Sequence, residues 1–465
     1  MSTEDKLFGL KPGFFSGVLT QSLKQLLFLR YGLYESSQLK LRALPHPIVS
    51  GVGFIQNSEG ERIEDGMIVG TVRMGYGHHR MAYSLYSWAM HMNQKPYLHD
   101  LLAFDCHEAV AIKDIDGFYS SMSRASSEMG GVIEWTWGQL MSQGNIGSLQ
   151  FSLEFAERYV NLLHGIPSDL PYISTYPLNG QIAVAAKFKK VVHLIPDNFP
   201  QYYLLVPGAL NLVQSPSAYM KFIEMGIPKE SLAIAGHWVS HKIASNAIKH
   251  SEERSSRANR KAVKRILLAI GGAGAQKNYT LGLISSLEKR LKDEKLQLYI
   301  NTGDHKGIFA EIREKVNELG IPHTVVETWS DLQKFCEERT LDKTSEPVTP
   351  PIVFFHFANY FEAFTATDEL ICISDILMTK PSELAFFPIP KIFIRRVGDH
   401  EAASAFRSME LGEGTVECRE VEHAIEMVKL FVDSDEIFHR MNECVIRNSK
   451  EGVYDGAKNA VSLAS

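Results

Sequence analysis

Two short stretches of this sequence carry residues that can hold an anion or move a proton. In the first, the residues T-K-P-S-E at 379–383 follow an apolar run and precede a short helical pattern. Lys380, Ser382 and Glu383 are therefore expected where a buried parallel strand ends and a helix begins. Backbone N–H groups and the helix dipole favour an anion at such a position, so this stretch predicts a phosphate-bearing ligand.

The second stretch places His78 in a glycine turn. A β-rich apolar run at 67–73 leads to Gly75 and Gly77, and a helical pattern follows directly. Glycines let the backbone approach a ligand closely, and an imidazole with its ordinary pKa suits proton transfer near neutral pH. A tight turn with a surface histidine is the simpler interpretation of the same pattern, and we assign that role to His79.

A third stretch is rich in glycine. Gly271, Gly272 and Gly274 follow the strand pattern at 265–270 and precede a helix. Such glycines permit a nest of backbone N–H groups that cradles phosphate, although glycines are common in α/β turns. Lys277 stands where the last glycine of G-x-G-x-x-G would be, so the dinucleotide fingerprint is not met.

Asp197 follows the strand pattern at 190–195. Its carboxylate either lines the cleft on the acceptor side or forms a turn, which is the commoner role of aspartate after a strand. Ser215 precedes a proline and a helical pattern without a G-x-S-x-G context, so we predict a helix N-cap and not a nucleophile.

Strand and helix patterns alternate along the chain, which is typical of parallel, doubly wound sheets. We therefore predict an α/β protein with two Rossmann-like lobes facing each other across a cleft. The predicted segments are an amphipathic N-terminal extension at 1–65, a first lobe at 66–248, a solvated linker at 249–264, a second lobe at 265–435 and a C-terminal helix at 436–465 that can cross back to the first lobe.

The composition is that of an ordinary globular protein. The chain has 465 residues, 45% hydrophobic and 22% charged, and a net charge of −6, which argues against nucleic-acid binding.

No apolar run reaches the ~18 residues of a membrane span, and the five cysteines have no C-x-x-C spacing, so we expect reduced thiols and a cytoplasmic location. The basic, amphipathic extension either lies on an anionic membrane surface or packs on the protein itself, which is commoner. Metal-binding and Walker A motifs are absent, so we predict no metal and no cofactor.

Together these pieces resemble the GT-B glycosyltransferases. Within them the chain looks most like the group of monogalactosyldiacylglycerol synthase, processive diacylglycerol glucosyltransferases and the lipid II-forming N-acetylglucosaminyltransferase. Gly77-His78 followed by Ala82 matches that group's G-H-x-x-x-A turn, and residues 373–387 resemble its D-x-x-x-x-K-P strand and glutamate-bearing helix. Residues 397–405 resemble the loop in which a carboxylate or amide meets the donor sugar.

The resemblance, which covers 68–411 in patches, implies inverting, metal-independent transfer of a sugar from a nucleotide-sugar, in the first instance a UDP-sugar, to an acceptor hydroxyl. A lipid is one candidate acceptor, with contact at the inner face of the membrane. The implied roles are His78 as base or acceptor-orienting group, Gly271, Gly272 and Gly274 near the diphosphate, Lys380 as positive potential, Glu383 on the ribose hydroxyls, His400 and Glu401 facing the sugar, and Gly75, Gly77 and Asp197 on the acceptor side.

The sequence departs from that group in one place. The group has a glycine-rich turn between Lys-Pro and the helix glutamate, whereas Lys380-Pro381-Ser382-Glu383 contains no glycine. Fewer free backbone donors then face a phosphate. Two alternatives therefore stay open: a nucleotide-sugar epimerase or hydrolase of the same fold, and a catalytically silent protein that binds a sugar-nucleotide or a lipid.

Overall fold

The computed structural model describes residues 7–10, 25, 27–114, 146–270, 276–344, 349–398 and 400–465. These residues form two α/β lobes, each built on its own sheet. The predicted fold class, two doubly wound lobes with parallel sheets, is confirmed.

The N-terminal lobe is built on an eight-stranded sheet. Its strands are β1 (Leu41–Pro45), β2 (Gly53–Asn57), β3 (Met67–Thr71), β4 (Pro96–Asp100), β5 (Tyr172–Ser174), β6 (Val191–Leu194), β7 (Leu210–Val213) and β8 (Leu232–Ile234). Their order is β1-β2-β4-β3-β5-β6-β7-β8, and every pair is parallel except β1 with β2. The helices of this lobe include α1 (Gly77–His91), α2 (Gly147–Ala156), α3 (Pro177–Ala185) and α4 (Pro216–Glu224). Ser215 caps α4 as predicted, because its side chain accepts a hydrogen bond from the Ala218 N–H.

A long helix, α5 (His241–Asn259), leads into the C-terminal lobe. The six parallel strands of that lobe are β9 (Lys264–Ala269), β10 (Leu296–Gly303), β11 (His323–Val326), β12 (Ile352–His356), β13 (Ile376–Thr379) and β14 (Lys391–Phe393), in the order β11-β12-β10-β9-β13-β14. Its helices are α6 (Lys277–Lys292), α7 (Lys306–Glu318), α8 (Trp329–Glu338), α9 (Tyr360–Ile371), α10 (Glu401–Glu410) and α11 (Val421–Asp433). The central strands are wholly buried, because helices cover both faces of the sheet.

Two boundaries differ from the sequence-based expectation. The stretch 1–65 is not all extension, because β1 and β2 belong to the first sheet and β2 pairs with β4. The stretch 249–264 is not a solvated linker but mostly the end of α5, where Arg254 and Arg257 are buried. The Arg254 Nε donates to the Ser374 carbonyl (2.9 Å), and Arg257 pairs with Asp375 (3.2 Å). The arginines of this charged segment can therefore be buried, because residues more than 100 positions away supply hydrogen-bond acceptors for them. The local sequence, which is mostly polar, gave no sign of this burial.

The end of the chain returns to the N-terminal lobe. Helix α12 (Asp435–Lys450) packs along α5, and α13 (Gly456–Ala464) packs against α1. The crossing is tight at Gly236, whose φ is +99° and where a β-carbon would lie 2.8 Å from the Val453 carbonyl oxygen. None of the described helices is long and apolar enough to span a membrane.

A fully buried ion pair ties β14 to this crossing. The Lys391 Nζ donates to Glu413 Oε2 (3.0 Å) and to the carbonyls of Phe387 (2.6 Å) and Ile389 (3.0 Å). The other Glu413 oxygen accepts from Asn448 (2.7 Å) and from the Tyr454 hydroxyl. Because both charges are hydrogen-bonded on every side, the pair is stable only as a unit.

Replacing Lys391 with methionine is expected to lower the free energy of unfolding by about 3–5 kcal/mol, because it leaves the Glu413 carboxylate buried without its cation. Adding Glu413→Gln removes that charge and should recover at least half of the loss. Urea denaturation of both single variants and the double variant measures the effect, with the exposed Lys221→Met as a control that changes stability by less than about 1 kcal/mol. A double variant as unstable as the sum of the two single variants would contradict the coupling.

Candidate functional site

The two lobes meet where the carboxyl ends of their central strands face each other. The strand order reverses between β3 and β5 in the first sheet and between β9 and β13 in the second. Loops diverge at such switch points and leave a crevice in which α/β proteins bind ligands. A narrow crevice lies between the lobes, with a cavity volume of about 10 Å³, roughly the room of a single water molecule. It is lined by Tyr76 and Arg80 from the N-terminal lobe and by Ala269, Ile270, Asn301, Gly303, Thr367, Thr379, Ser382, Glu383 and Leu384 from the C-terminal lobe.

His78 lies in the first turn of α1, at the switch point of the N-terminal lobe. Its Nδ1 is 2.7 Å from the Thr175 carbonyl oxygen, just past β5. A carbonyl can only accept, so Nδ1 carries the proton, and Nε2 of the neutral ring keeps its lone pair. Burial lowers the pKa of His78 to about 4, although the hydrogen bond to Thr175 and the charge of Glu383 oppose this. This corrects the expectation of an ordinary pKa, and it makes the ring a neutral hydrogen-bond acceptor at neutral pH.

His79 is not on the surface, as the sequence suggested, but is buried. Its Nε2 lies 3.0 Å from Asp100 Oδ2, at the end of β4. The other oxygen of Asp100 accepts from the backbone N–H groups of Arg73 (3.2 Å) and Leu102 (3.0 Å). His79 therefore holds the loop before α1 and is not free to contact a ligand.

Glu383 follows β13 and begins a single 3-10 turn, Glu383–Phe386, in place of the expected α-helix. Its Oε1 accepts from Arg80 of the N-terminal lobe (3.1 Å). A β-carbon at Gly77 would lie 3.7 Å from Glu383 Oε2, so the carboxylate lies at the amino end of α1. Burial raises the pKa of Glu383, but Arg80 and Lys380 outweigh burial and hold it below its usual range. Glu383 is therefore an ionised group that faces the opposite lobe.

Lys380, at the end of β13, is already paired. Its Nζ forms an ion pair with Glu401 Oε1 in the first turn of α10. The other oxygen of Glu401 accepts from the backbone N–H of Val397 (2.7 Å) and lies 3.4 Å from that of Gly398. The lysine charge thus orders the loop before α10, and only part of its positive potential reaches the crevice.

Asp197, after β6, lies near the predicted sugar-facing residues. Burial raises the pKa of Asp197; His400 opposes that rise, and Glu401 and Glu383 add to it. These side chains are close enough to influence one another's ionisation, although they come from both lobes. Asp197 thus lies near the charged groups of the C-terminal lobe, and its raised pKa favours the protonated carboxyl group.

Sequence reasoning missed the residues that join the lobes. The Tyr76 hydroxyl donates to Asp304 Oδ1 and accepts from the Asp304 N–H (3.0 Å). The Tyr360 hydroxyl donates to the carbonyl of Gly75 (2.6 Å), a turn residue with a φ of +86°. The sequence did offer a local indication for Arg80, because it lies one turn into the helix that follows Gly77. Tyr76 and Asp304 had none, because they are 228 residues apart.

The predicted glycine cradle, Gly271, Gly272 and Gly274, lies outside the described residues. The end of β9 on one side and the start of α6 on the other border it. Within the described ranges, no group of three or more histidine, cysteine, aspartate or glutamate side chains is arranged to hold a metal ion.

Fold and site together define a two-lobed α/β protein with a charged crevice between facing switch points. The chain belongs to the family described as "Domain of unknown function (DUF6938)", which matches residues 227–465, more than half of its length. Residues 26–224 match a second family, "Domain of unknown function (DUF6937)". No curated protein sequence matches the chain.

Several solved structures are similar to the chain over most of their length. The co-structure of S. aureus MnaA with UDP has a TM-score of 0.47 and 12% identity, covering 85% of this chain and 94% of that one. UDP-GlcNAc 2-epimerase from Neisseria meningitidis bound to UDP-GlcNAc has a TM-score of 0.45 and 11% identity, with coverages of 84% and 96%. Anabaena Alr3699/HepE in complex with UDP and glucose has a TM-score of 0.42 and 12% identity, with coverages of 86% and 100%. Similarities at this level do not extend a ligand or an activity from those proteins to this chain.

The His78 ring is expected to stay neutral, with its proton on Nδ1, throughout pH 5.5 to 8. Since its pKa is lowered, its neutral form stabilises the fold fully above the unfolded value of about 6.5, and this stabilisation is lost as the pH falls toward 4. Nitrogen-15 NMR of histidine-labelled protein, assigned with a His78→Gln variant, measures both the tautomer and the titration. A midpoint near 6.5, or a proton on Nε2, would contradict this prediction.

Proposed function

We propose that this protein is an inverting, metal-independent glycosyltransferase that moves a sugar from a nucleotide-sugar, with UDP as its nucleotide, to an acceptor hydroxyl. One observation carries the proposal: the neutral imidazole of His78 on the N-terminal lobe lies close enough to the ionised carboxylate of Glu383 on the C-terminal lobe for each to influence the other's ionisation, and Lys380 acts on the same carboxylate. The reaction needs two kinds of group: a base for the acceptor hydroxyl, and positive potential for the leaving diphosphate.

On this proposal His78 acts on the acceptor. The acceptor oxygen attacks the anomeric carbon and passes its proton to Nε2 of His78, and the bond from that carbon to the diphosphate oxygen breaks. The nucleoside diphosphate leaves with the electron pair. The hydrogen bond from Nδ1 to Thr175 supports this role, because it fixes the tautomer that leaves Nε2 able to accept.

The donor is proposed to bind on the C-terminal lobe. Glu383 accepts hydrogen bonds from the ribose hydroxyls, Ser382 lines the same crevice, and His400 and Glu401 face the sugar. Lys380 contributes positive potential beside the leaving group, together with the predicted glycine cradle. The Gly75–Gly77 turn and Asp197 are proposed for the acceptor side.

We extend the proposal to a lipid acceptor at a membrane surface. Apolar side chains on and near α10, the helix that carries Glu401, support this extension. Phe406 is 61% exposed, Val397 48% and Met409 40%. Exposed apolar groups beside a polar cleft suit an acceptor whose hydroxyl is attached to a hydrocarbon chain.

A nucleotide-sugar hydrolase or epimerase is the second candidate, and Asp197 is the observation that favours it. A carboxyl group with a raised pKa can act as an acid toward the sugar without an acceptor. A silent binding protein is favoured instead by the ion pairs of Lys380 with Glu401 and of Glu383 with Arg80, which leave little unpaired charge for a substrate.

Purified protein is expected to consume a UDP-sugar at a rate that falls about 100- to 10,000-fold in His78→Ala, because general-base catalysis is lost. Glu383→Ala should also lose most activity, through weaker donor binding. Release of UDP, followed by chromatography, measures the rate, and His423→Ala, an exposed histidine on α11, is the matched control. Wild-type rates in both site variants would contradict the assignment.

The acceptor dependence separates the three functions. A transferase forms a glycoside only when an acceptor such as diacylglycerol in vesicles is present. A hydrolase or epimerase converts the UDP-sugar without any acceptor, and a silent protein binds UDP in a calorimeter but converts nothing.

A further inference from the structure

The amino end of α1 is built to receive an anion. This helix of 15 residues has no acidic residue in its first turn, and Tyr76 at its N-cap makes no side-chain capping bond. The first N–H groups of a helix lack intrahelical partners and carry its positive partial charge. The negative group that lies there comes from the other lobe, because Gly77 faces the Glu383 carboxylate.

Arg80 supplies the second half of the same position. Its side chain is only 5% exposed, and NH1 donates to Glu383 (3.1 Å) while NH2 donates to Thr367 Oγ1 (3.1 Å) and lies 3.4 Å from the Phe364 carbonyl oxygen. The Nε–H of Arg80 is buried and has no acceptor among the described residues. A buried N–H without an acceptor destabilises the fold, so the Glu383 carboxylate and the Thr367 hydroxyl leave the donors of Arg80 incompletely satisfied in this conformation.

A phosphate group meets these requirements better than a carboxylate. Its oxygens can accept from NH1 of Arg80 and from the first N–H groups of α1 at the same time, and a phosphate offers more acceptor oxygens than a carboxylate does. Arg80 also lines the inter-lobe crevice together with Ser382 and Glu383. The site therefore opens onto the space in which the donor is proposed to bind.

We propose that Arg80 and the first turn of α1 form a phosphate site on the N-terminal lobe, which Glu383 fills in this conformation and the diphosphate of the nucleotide-sugar takes over when it binds. This inference rests on the proposed function, since the donor supplies the phosphate. The exchange keeps the buried guanidinium paired before and after binding, and it releases Glu383 to accept the ribose hydroxyls. Glu383 is thus an internal competitor of the donor as well as a ligand for it.

The test compares UDP with uridine, which lacks the diphosphate. The ratio of the uridine dissociation constant to the UDP dissociation constant, from titration calorimetry, isolates the contribution of the phosphates. Arg80→Met should lower this ratio on the order of 10- to 100-fold, the value of a charged hydrogen bond, and Arg80→Lys should lower it less. Glu383→Gln should raise the ratio, because the competing charge is gone. Lys221→Met, an equal charge change on α4, should leave it unaltered.

The outcomes distinguish this inference from the function on which it rests. If wild-type protein binds UDP and the ratio stays within about twofold in Arg80→Met and Glu383→Gln, the phosphate site is wrong and the proposed function stands. If wild-type protein binds neither UDP nor uridine, the proposed function fails and the phosphate site fails with it. Should Arg80→Met not fold, Arg80→Lys and Glu383→Gln decide, since an unchanged ratio in both overturns the site.

Discussion

One ion pair, between Arg80 and Glu383, lies at the point where the two switch points of this protein meet. Arg80 belongs to the N-terminal lobe, but its NH2 group donates to the Thr367 hydroxyl and lies 3.4 Å from the Phe364 carbonyl oxygen of the C-terminal lobe. A buried guanidinium without acceptors is strongly unfavourable, so these contacts of Arg80 stabilise the interface between the lobes. The contact between Tyr76 and Asp304 also joins the two lobes.

The crossing of the chain supports the C-terminal side of this contact. His237 lies beside the tight turn at Gly236, and its Nδ1 donates to the Phe386 carbonyl (2.9 Å) in the 3-10 turn that carries Glu383. Its Nε2 lies 3.4 Å from Arg407 Nε, on the helix that carries Glu401. Burial and Arg407 lower the pKa of His237 to about 3, so the ring is neutral and can accept from Arg407. One buried ring therefore contacts both the 3-10 turn of Glu383 and the helix of Glu401.

Sequence reasoning selected His78, Lys380 and Glu383 as candidates because each follows an apolar run, where a parallel strand must end. It did not find their partners. Lys380, which was expected to face an anionic ligand, pairs with Glu401 in this structure, and the Arg80 partner of Glu383 lies 303 residues away. His79 was misassigned because a one-residue step along α1 turns the side chain by about 100°, which moves it from the crevice to Asp100.

The sequence by itself determined the alternation of buried strands and helices, and hence two doubly wound lobes with the candidate residues at strand ends. Those features follow from the period of apolar residues and from glycine and proline turns, which act over a few neighbouring positions. Only the tertiary structure decided that residues 41–57 complete the first sheet, that Arg254 and Arg257 are buried, and which charges are paired across the crevice. Such pairs form between residues that are hundreds of positions apart in the sequence. The local pattern around one residue therefore cannot identify its partner.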